Sequence, residues 1–322
     1  MKKKEDGISF LNIGTRILTK DLMDQFIRSL GNHHTHYGQK GISAKRVTEE
    51  YEVDIIISEY EMEDTTAFHL IRDFQQDSSN DHFYYILAVE EKNAEMVNIA
   101  EELDIDALIV KPFTALDIAE HVKEYEEHLN KKGEGKDFII LLRKAMRALR
   151  DKATTDAHKL FTLLKQNAAE NVHVLSRLGD YYTGLADYSS AERCFQDALA
   201  IKKDYILALN GMGVLEVKRK NYILALEYLS KAQKISPLNP ERAHLISKVH
   251  LAAGLDQLKS TERRDPGGIE LKMDILRYLV CLKDFMGAIH WYKKIKFPPN
   301  DPNVKEAMRL SDFAHAEGKI SK

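Results

Sequence analysis

Apolar and polar positions follow two different patterns in the first 130 residues. Short, continuous apolar runs rich in β-branched residues predict strands that are buried on both faces of a parallel sheet. The predicted strands are 8–13, 53–58, 83–89 and 107–110. Helical spacing of apolar residues predicts helices at 18–30, 64–75, 93–103 and 114–128. This alternation predicts an α/β doubly wound sheet, with functional residues at the carboxyl ends of its strands.

A 34-residue period replaces this pattern from residue 138 onward. Repeat units are predicted to start at 138, 172, 206 and 240. Small residues recur at positions 8, 20 and 27 of the repeat, and Phe or Leu recurs at position 24. Small residues allow two helices to approach closely, and larger ones fill the space between them. The period therefore predicts an all-α solenoid of helical hairpins.

The period weakens after residue 240. Residues 240–264 form one long helical pattern, and 275–295 form a further helical unit with Phe285 and Ala288 in its second helix. Residues 301–318 are predicted to form a terminal helix that covers the end of the stack. We expect four to five hairpins in total.

Length and composition suggest two domains and a reduced environment. A chain of 322 residues corresponds to about two domains of ~150 residues. No segment reaches the ~18 apolar residues of a membrane helix, and the lysine-rich start is not followed by an apolar run. Two cysteines, Cys194 and Cys281, cannot form a disulfide framework. We expect a cytoplasmic protein with a first domain at 1–128, a glycine-containing linker at 129–137 and a repeat domain at 138–322.

Charge is divided unevenly between the two parts of the chain. Residues 1–130 contain 13 Lys and Arg against 27 Asp and Glu, whereas residues 131–322 contain 34 against 23. Opposite net charges suggest either two different partners or mutual attraction. We therefore expect that the acidic domain could dock on the basic one and cover its binding surface.

Two segments near the ends of predicted strands carry a family resemblance. Asp54-Ile-Ile-Ile-Ser-Glu59-Tyr-Glu-Met62 is followed by Leu108-Ile-Val-Lys111-Pro112-Phe113. Together they resemble the receiver domain of two-component response regulators. The resemblance implies a phosphoryl-accepting aspartate at the end of strand 3, an acidic pair that binds Mg²⁺ after strand 1, a Ser or Thr ending strand 4, and a lysine before a proline whose peptide bond is commonly cis.

Most of these functional positions are changed in this sequence. Glu59 occupies the acceptor position, where its extra methylene would displace the reacting oxygen. No Asp or Glu lies between residues 8 and 20, Ala88 replaces the hydroxyl, and Leu108 replaces the aromatic residue of strand 5. Lys111 and Pro112 remain. We interpret the domain as a degenerate pseudo-receiver, in which Glu59 is either a built-in phosphate mimic paired with Lys111 or a relict carboxylate satisfied by water or by Lys111.

The repeats also carry a family resemblance. Leu175-x-x-Leu178-Gly179-x-x-Tyr182, followed by Ala191, Phe195 and Ala198, is similar to the tetratricopeptide repeat. That family binds proteins in a concave groove lined by the first helix of each repeat. The candidate groove residues here are Met146, Arg150, Arg177, Asp180, Asn210, Val214, Val217 and Lys218. Their apolar and basic character suits an amphipathic helix with acidic flanks; alternatively, some of them pack against the next helix or the pseudo-receiver.

These observations favour a non-enzymatic signalling adaptor of bacterial origin that binds protein partners through the repeats. The alternative is a response regulator that is still phosphorylated at a non-standard site and thereby gates the repeats. We expect no cofactor, no membrane contact and no nucleic acid, and homo-oligomerisation stays open. The cluster of His33, His34 and His36 is expected to face solvent in a loop rather than to bind a metal.

Overall fold

The computed structural model of the protein describes residues 2–3, 6–14, 20–76, 83–132, 138–151, 153–167, 170–264 and 268–320. The chain divides into two compact units. The first comprises Met1–Gly211 and Ala232–Asn239, and the second comprises Met212–Lys231 and Pro240–Lys322.

A five-stranded parallel sheet forms the N-terminal part of the first unit. Its strands are β1 (Ser9–Ile13), β2 (His34–Gly38), β3 (Ile55–Glu59), β4 (Tyr84–Val89) and β5 (Ala107–Val110). They lie in the order β2-β1-β3-β4-β5, and every neighbouring pair is parallel. The order reverses between β1 and β3, which is where doubly wound sheets place their functional site. The predicted fold class is confirmed.

Five helices cover the two faces of this sheet. They are α1 (Lys20–Leu30), α2 (Gly41–Glu50), α3 (Ala67–Phe74), α4 (Ala94–Leu103) and α5 (Ala115–Lys132). Alternate residues of a strand point to opposite faces, so Leu11 packs with Phe68 on one side and Phe10 packs with Ile27 and Ile118 on the other. Residues 18 and 19 of the predicted first helix, and 133–137 of the expected linker, lie outside the described residues.

The histidine cluster differs from the prediction. His34 and His36 lie in β2 itself, and they and His33 are half-buried. The backbone N–H of Ile8 donates to His33 Nδ1 at 3.2 Å. The His36 ring packs on Tyr51 with ring centroids 4.2 Å apart. The prediction of a solvent-facing loop was wrong because the edge strand is short and its histidines carry no strong strand signal.

Helical hairpins follow the sheet domain. Their helices are α6 (Phe138–Arg150), α7 (Thr154–Asn167), α8 (Val172–Gly184), α9 (Tyr188–Ile201), α10 (Ile206–Lys218) and α11 (Tyr222–Ile235). Helices α6, α8 and α10 begin at the predicted starts 138, 172 and 206. The Phe195 ring lies against Gly179 and Gly211, where an added Cβ would overlap it. Gly179 stands at position 8 of its repeat, so its close approach to Phe195 is the packing role predicted for the small residue there, whereas Gly211 stands at position 6.

The second unit contains the last helices. These are α12 (Pro240–Arg264), α13 (Ile269–Cys281), α14 (Phe285–Tyr292) and α15 (Val304–Ile320). The predicted long helix at 240–264 is confirmed, whereas the following helix begins at Ile269 rather than at residue 275. Buried residues Met273, Leu276 and Ala288 share one hydrophobic cluster here. Among the described residues, no helix is both long enough and apolar enough to cross a membrane.

Candidate functional site

Glu59 and Lys111 meet at the carboxyl edge of the sheet. Glu59 ends β3 and is 6% exposed, and Lys111 follows β5. Lys111 Nζ donates to Glu59 Oε1 at 2.9 Å and lies 2.9 Å from Glu90 Oε1. Burial acts to lower the pKa of Lys111, but the two carboxylates outweigh it and hold the pKa above its ordinary value. The peptide bond between Lys111 and Pro112 is cis. Lys111 is therefore a charged lysine whose charge is already neutralised within the chain.

Gly14 makes room for the longer acidic side chain. It follows β1 with φ of +117°, and a Cβ built there would lie 2.5 Å from Glu59 Oε2. Ala88 lies opposite Glu59 in the register of β3 with β4 and contributes no hydroxyl. The glycine thus accommodates Glu59 where a side chain at that position would collide with it.

A cleft of about 420 Å³ opens beside this pair. Its lining includes the carboxylates of Glu59, Glu61, Glu90 and Glu91. Lys111 is the single Lys or Arg among the described lining residues. An excess of carboxylates gives the cleft a negative potential, which repels a phosphoryl anion unless a cation compensates it. Within the described ranges, no group of three or more His, Cys, Asp or Glu residues is arranged to hold a metal ion.

A second polar site lies at the turn between α4 and β5, where the first repeats contact the sheet domain. Asp104 ends α4 in the left-handed conformation, with φ of 56°. Its Oδ1 lies 2.7 Å from Nε2 of His173 and 2.9 Å from Nη2 of Arg177. The side chains of Asp104 and Arg177 are 12% and 7% exposed. An ion pair this far from water is screened much less than a surface pair.

Arg143 contacts the same turn from the preceding repeat. Its Nη2 donates to the carbonyl of Asp104 at 2.7 Å and to Asp106 Oδ2 at 2.8 Å. Its Nη1 donates to the carbonyl of Phe83 at 2.6 Å. Both Arg143 and Arg177 stand at position 6 of their repeats, so the 34-residue period places two guanidinium groups on one turn.

Glu102 anchors the other side of α4. It is 3% exposed and accepts from Ser236 Oγ at 2.9 Å and from Asn239 Nδ2 at 3.1 Å. Asn98 Nδ2, one helical turn earlier, donates to the carbonyl of Ile235 at 3.2 Å. Lys202 pairs with Glu101 at 2.8 Å. Helix α4 and the turn after it are therefore held by four separate segments of the repeat region, which we call the docking interface: α6, α8, Lys202 after α9, and residues 235–239.

Two opposing effects set the ionisation of Asp104. Burial acts to raise the pKa of this carboxyl, but the charge of Arg177 and the contact with His173 outweigh burial and hold the pKa well below its ordinary value. Burial also raises the pKa of Asp180, although Arg177 opposes this shift from 3.4 Å away. Of the two carboxylates beside Arg177, Asp104 is therefore the one whose charged form is stabilised.

The candidate groove residues occupy different surroundings. Arg177 is buried against Asp104, Arg150 donates to the carbonyl of Gln75 at 2.5 Å, and Asp180 faces Arg177. Met146 packs partly into the hydrophobic cluster of α6, α7 and α8. Asn210 Oδ1 is buried without a hydrogen-bond partner among the described residues.

The remaining candidates lie in the second unit. Val214 and Val217 are half-buried, Val217 packs in a cluster with Leu229, and Lys218 is exposed. Their role in binding a partner stays a prediction.

Sequence reasoning missed Arg143, Glu102 and Asp106. The signal for Arg143 was available, because it stands 34 residues before Arg177 at the same repeat position. Glu102 and Asp106 gave no such signal, because they are two of many acidic residues in the first 130.

Comparisons with known proteins find similar proteins for part of the chain. No family model matches the chain. Chemotaxis protein CheY-3 of Vibrio cholerae is 23% identical over 128 residues, which cover 38% of this chain and 98% of that protein. Chemotaxis protein CheY of Pseudomonas aeruginosa is 22% identical over 109 residues, covering 34% of this chain and 88% of that protein.

Two kinds of solved structure are among those similar to the chain. The chemotaxis response regulator CheY4 of Vibrio cholerae aligns with a TM-score of 0.34 at 16% identity, covering 37% of this chain and 98% of that one. The first TPR domain of the human RPAP3 protein aligns with a TM-score of 0.34 at 17% identity, covering 36% of this chain and 92% of that one. The strand order and the helix starts described above define a receiver-like, flavodoxin-like domain followed by helical repeats of the tetratricopeptide type.

Proposed function

We propose that this protein is a non-enzymatic signalling adaptor of the bacterial cytoplasm, in which a pseudo-receiver docks on the repeats without phosphorylation. Receiver and repeat folds both suit protein–protein signalling. The observation that carries the proposal is the pairing of Lys111 with Glu59 and Glu90, which occupies the lysine that a phosphoryl group would need. The docking interface supports the adaptor role, because it joins the two domains through buried charges.

Loss of phosphate chemistry is the first part to test. The full chain is incubated with acetyl phosphate and Mg²⁺, and its intact mass is measured. We expect no added phosphoryl group, since Glu59 is already paired with Lys111 and its extra methylene displaces the reacting oxygen. A stable addition would favour the alternative, a response regulator phosphorylated at a non-standard site. The variant Glu59→Gln then serves as the matched control, because an adduct that survives this change lies elsewhere.

The adaptor role is tested by capture. The full chain and its Asp104→Asn variant, which changes the α4 side and leaves the groove unaltered, are used as baits in a bacterial lysate, and bound proteins are identified by mass spectrometry. We expect the variant to capture additional proteins, because weakening the docking interface exposes the groove. Identical sets that contain no specific protein would contradict an adaptor role.

A further inference from the structure

We propose that the docking interface is a recognition site for an acidic helix C-terminus, and that protein partners bind it by presenting such a helix in place of α4. The inference rests on the proposed adaptor function and names the chemistry of the partner. It is argued from what the repeats contact on α4.

The repeats recognise the end of α4 through both its backbone and its side chains. The last carbonyls of a helix have no intrahelical partner and carry the negative end of the helix dipole. Here the carbonyl of Glu102 accepts from Arg177 at 3.3 Å, and that of Asp104 accepts from Arg143 at 2.7 Å. Because these contacts are to the backbone, any helix that ends in the same place can make them.

The carboxylates add specificity. Three acidic positions in the last turn, Glu101, Glu102 and Asp104, contact Lys202, Ser236 with Asn239, and Arg177 with His173, in that order. The contacts come from three separate segments of the repeat region, so they define a spacing as well as a charge. The fitting partner is a helix that ends in Glu-Glu-x-Asp, with the aspartate in the left-handed conformation.

An empty groove is disfavoured. Arg177 is 7% exposed, and without Asp104 its nearest carboxylate would be that of Asp180 at 3.4 Å. Undocking gives up the contacts of Arg177 with the Asp104 carboxylate and with the carbonyl of Glu102. Exchange of one acidic helix for another avoids that cost, which favours competition by a partner over spontaneous opening.

The probe is a fluorescein-labelled peptide with the sequence of residues 92–106, and its binding to the full chain is followed by fluorescence anisotropy. The wild-type chain, whose groove contains α4, is compared with Glu102→Lys/Asp104→Asn, which changes α4 and leaves the groove unaltered. We expect the double variant to bind the peptide at least tenfold more tightly. Unchanged affinity would overturn the proposal.

Two controls make the result specific. Adding Arg177→Gln to the double variant is expected to reduce peptide affinity at least tenfold, whereas adding Arg193→Gln removes the same charge from an exposed position of α9 and is expected to have little effect. If the two changes lowered the peptide affinity equally, general charge attraction rather than a specific site would explain the binding, and the proposal would be overturned. If the peptide did not bind as expected but specific partners were still captured from lysate, this inference would be overturned and the proposed adaptor function would stand.

Discussion

Arg143 and Arg177 lie one repeat apart and donate to the same turn of the sheet domain. Arg143 contacts Asp106 at 2.8 Å, and Arg177 contacts Asp104 at 2.9 Å. Their shared repeat position means that the superhelical spacing of the hairpins, rather than any single loop, sets the distance between the two guanidinium groups. A solenoid that stacks regularly therefore offers a pre-formed pair of donors.

Removing Arg177 is expected to weaken the first unit. Arg177→Gln leaves Asp104 buried with His173 as its remaining side-chain partner among the described residues, and breaking a buried pair in this way costs about 3–5 kcal/mol. The free energy of unfolding is measured by urea titration of the full chain. Arg193→Gln is the control and is expected to change it by less than about 0.5 kcal/mol.

A double-mutant cycle isolates the interaction of Arg177 with Asp104 from the contacts that each residue makes with others. If Arg177 and Asp104 act together, Arg177→Gln combined with Asp104→Asn costs less than the sum of the two single changes, by about 0.5–3 kcal/mol. Asn tolerates the left-handed conformation of residue 104, so the backbone is preserved. Strict additivity would contradict a direct interaction.

The sequence predicts the two folds well because each has a periodic cause. Continuous apolar runs mark the buried strands, and the 34-residue repetition of small residues marks helix packing, as Gly179 against Phe195 illustrates. The docking interface has no such period on the acidic side. Glu102 and Asp104 differ from other carboxylates of the first 130 residues only through what they contact, and contact is a tertiary property.

The candidate cleft could be predicted in composition but not in geometry. The identity of Glu59 and Lys111 follows from the receiver resemblance, and their contact at 2.9 Å fits either interpretation of Glu59. Neither the second carboxylate on Lys111, from Glu90, nor the space that Gly14 leaves for Glu59 could be read from the spacing. Both depend on how loops at the sheet edge fold back.

Gly14→Ala is expected to destabilise the sheet domain by about 1–3 kcal/mol, because it strains a backbone at φ of +117° and places a Cβ against Glu59. Glu59→Ala in the same chain removes the collision and should restore part of the loss, leaving the backbone strain. Thermal unfolding followed by circular dichroism provides the measurement.

The matched glycine is Gly268. A Cβ there would make an ordinary contact of 3.6 Å with Leu271 Cβ, so Gly268→Ala should cost only the difference between alanine and glycine as a helix N-cap, about 0.5 kcal/mol. A Gly14→Ala chain that is as stable as Gly268→Ala would show that Glu59 does not occupy the space beside residue 14.

Two variants of Glu102 are expected to separate its role as a hydrogen-bond acceptor from the effect of its charge. Glu102→Gln keeps one acceptor oxygen for Ser236 or Asn239 and should cost about 1 kcal/mol, while Glu102→Ala removes both of these hydrogen bonds and should cost about 2–3 kcal/mol. Urea unfolding measures both. Glu120→Gln, at an exposed position of α5, is the control, and equal losses at the two sites would contradict the buried contact.

Acidification is expected to weaken the docking interface only below the ordinary carboxyl range. The docked Asp104 has a pKa below its ordinary value of 3.8, where burial is outweighed by Arg177 and His173. The docked state therefore binds fewer protons, and its stability is fully present above pH 3.8 and declines as the pH falls further. Arg177, Arg143 and Tyr205 also face this site, and they stay protonated throughout this pH range.

Urea unfolding of the wild-type chain and of Asp104→Asn at pH 7, 5, 4 and 3.5 tests this pH dependence. The difference between the two should hold from pH 7 to 4 and shrink at 3.5, because asparagine does not titrate; a difference that vanishes already at pH 5 would show that Asp104 does not carry the charge of the interface.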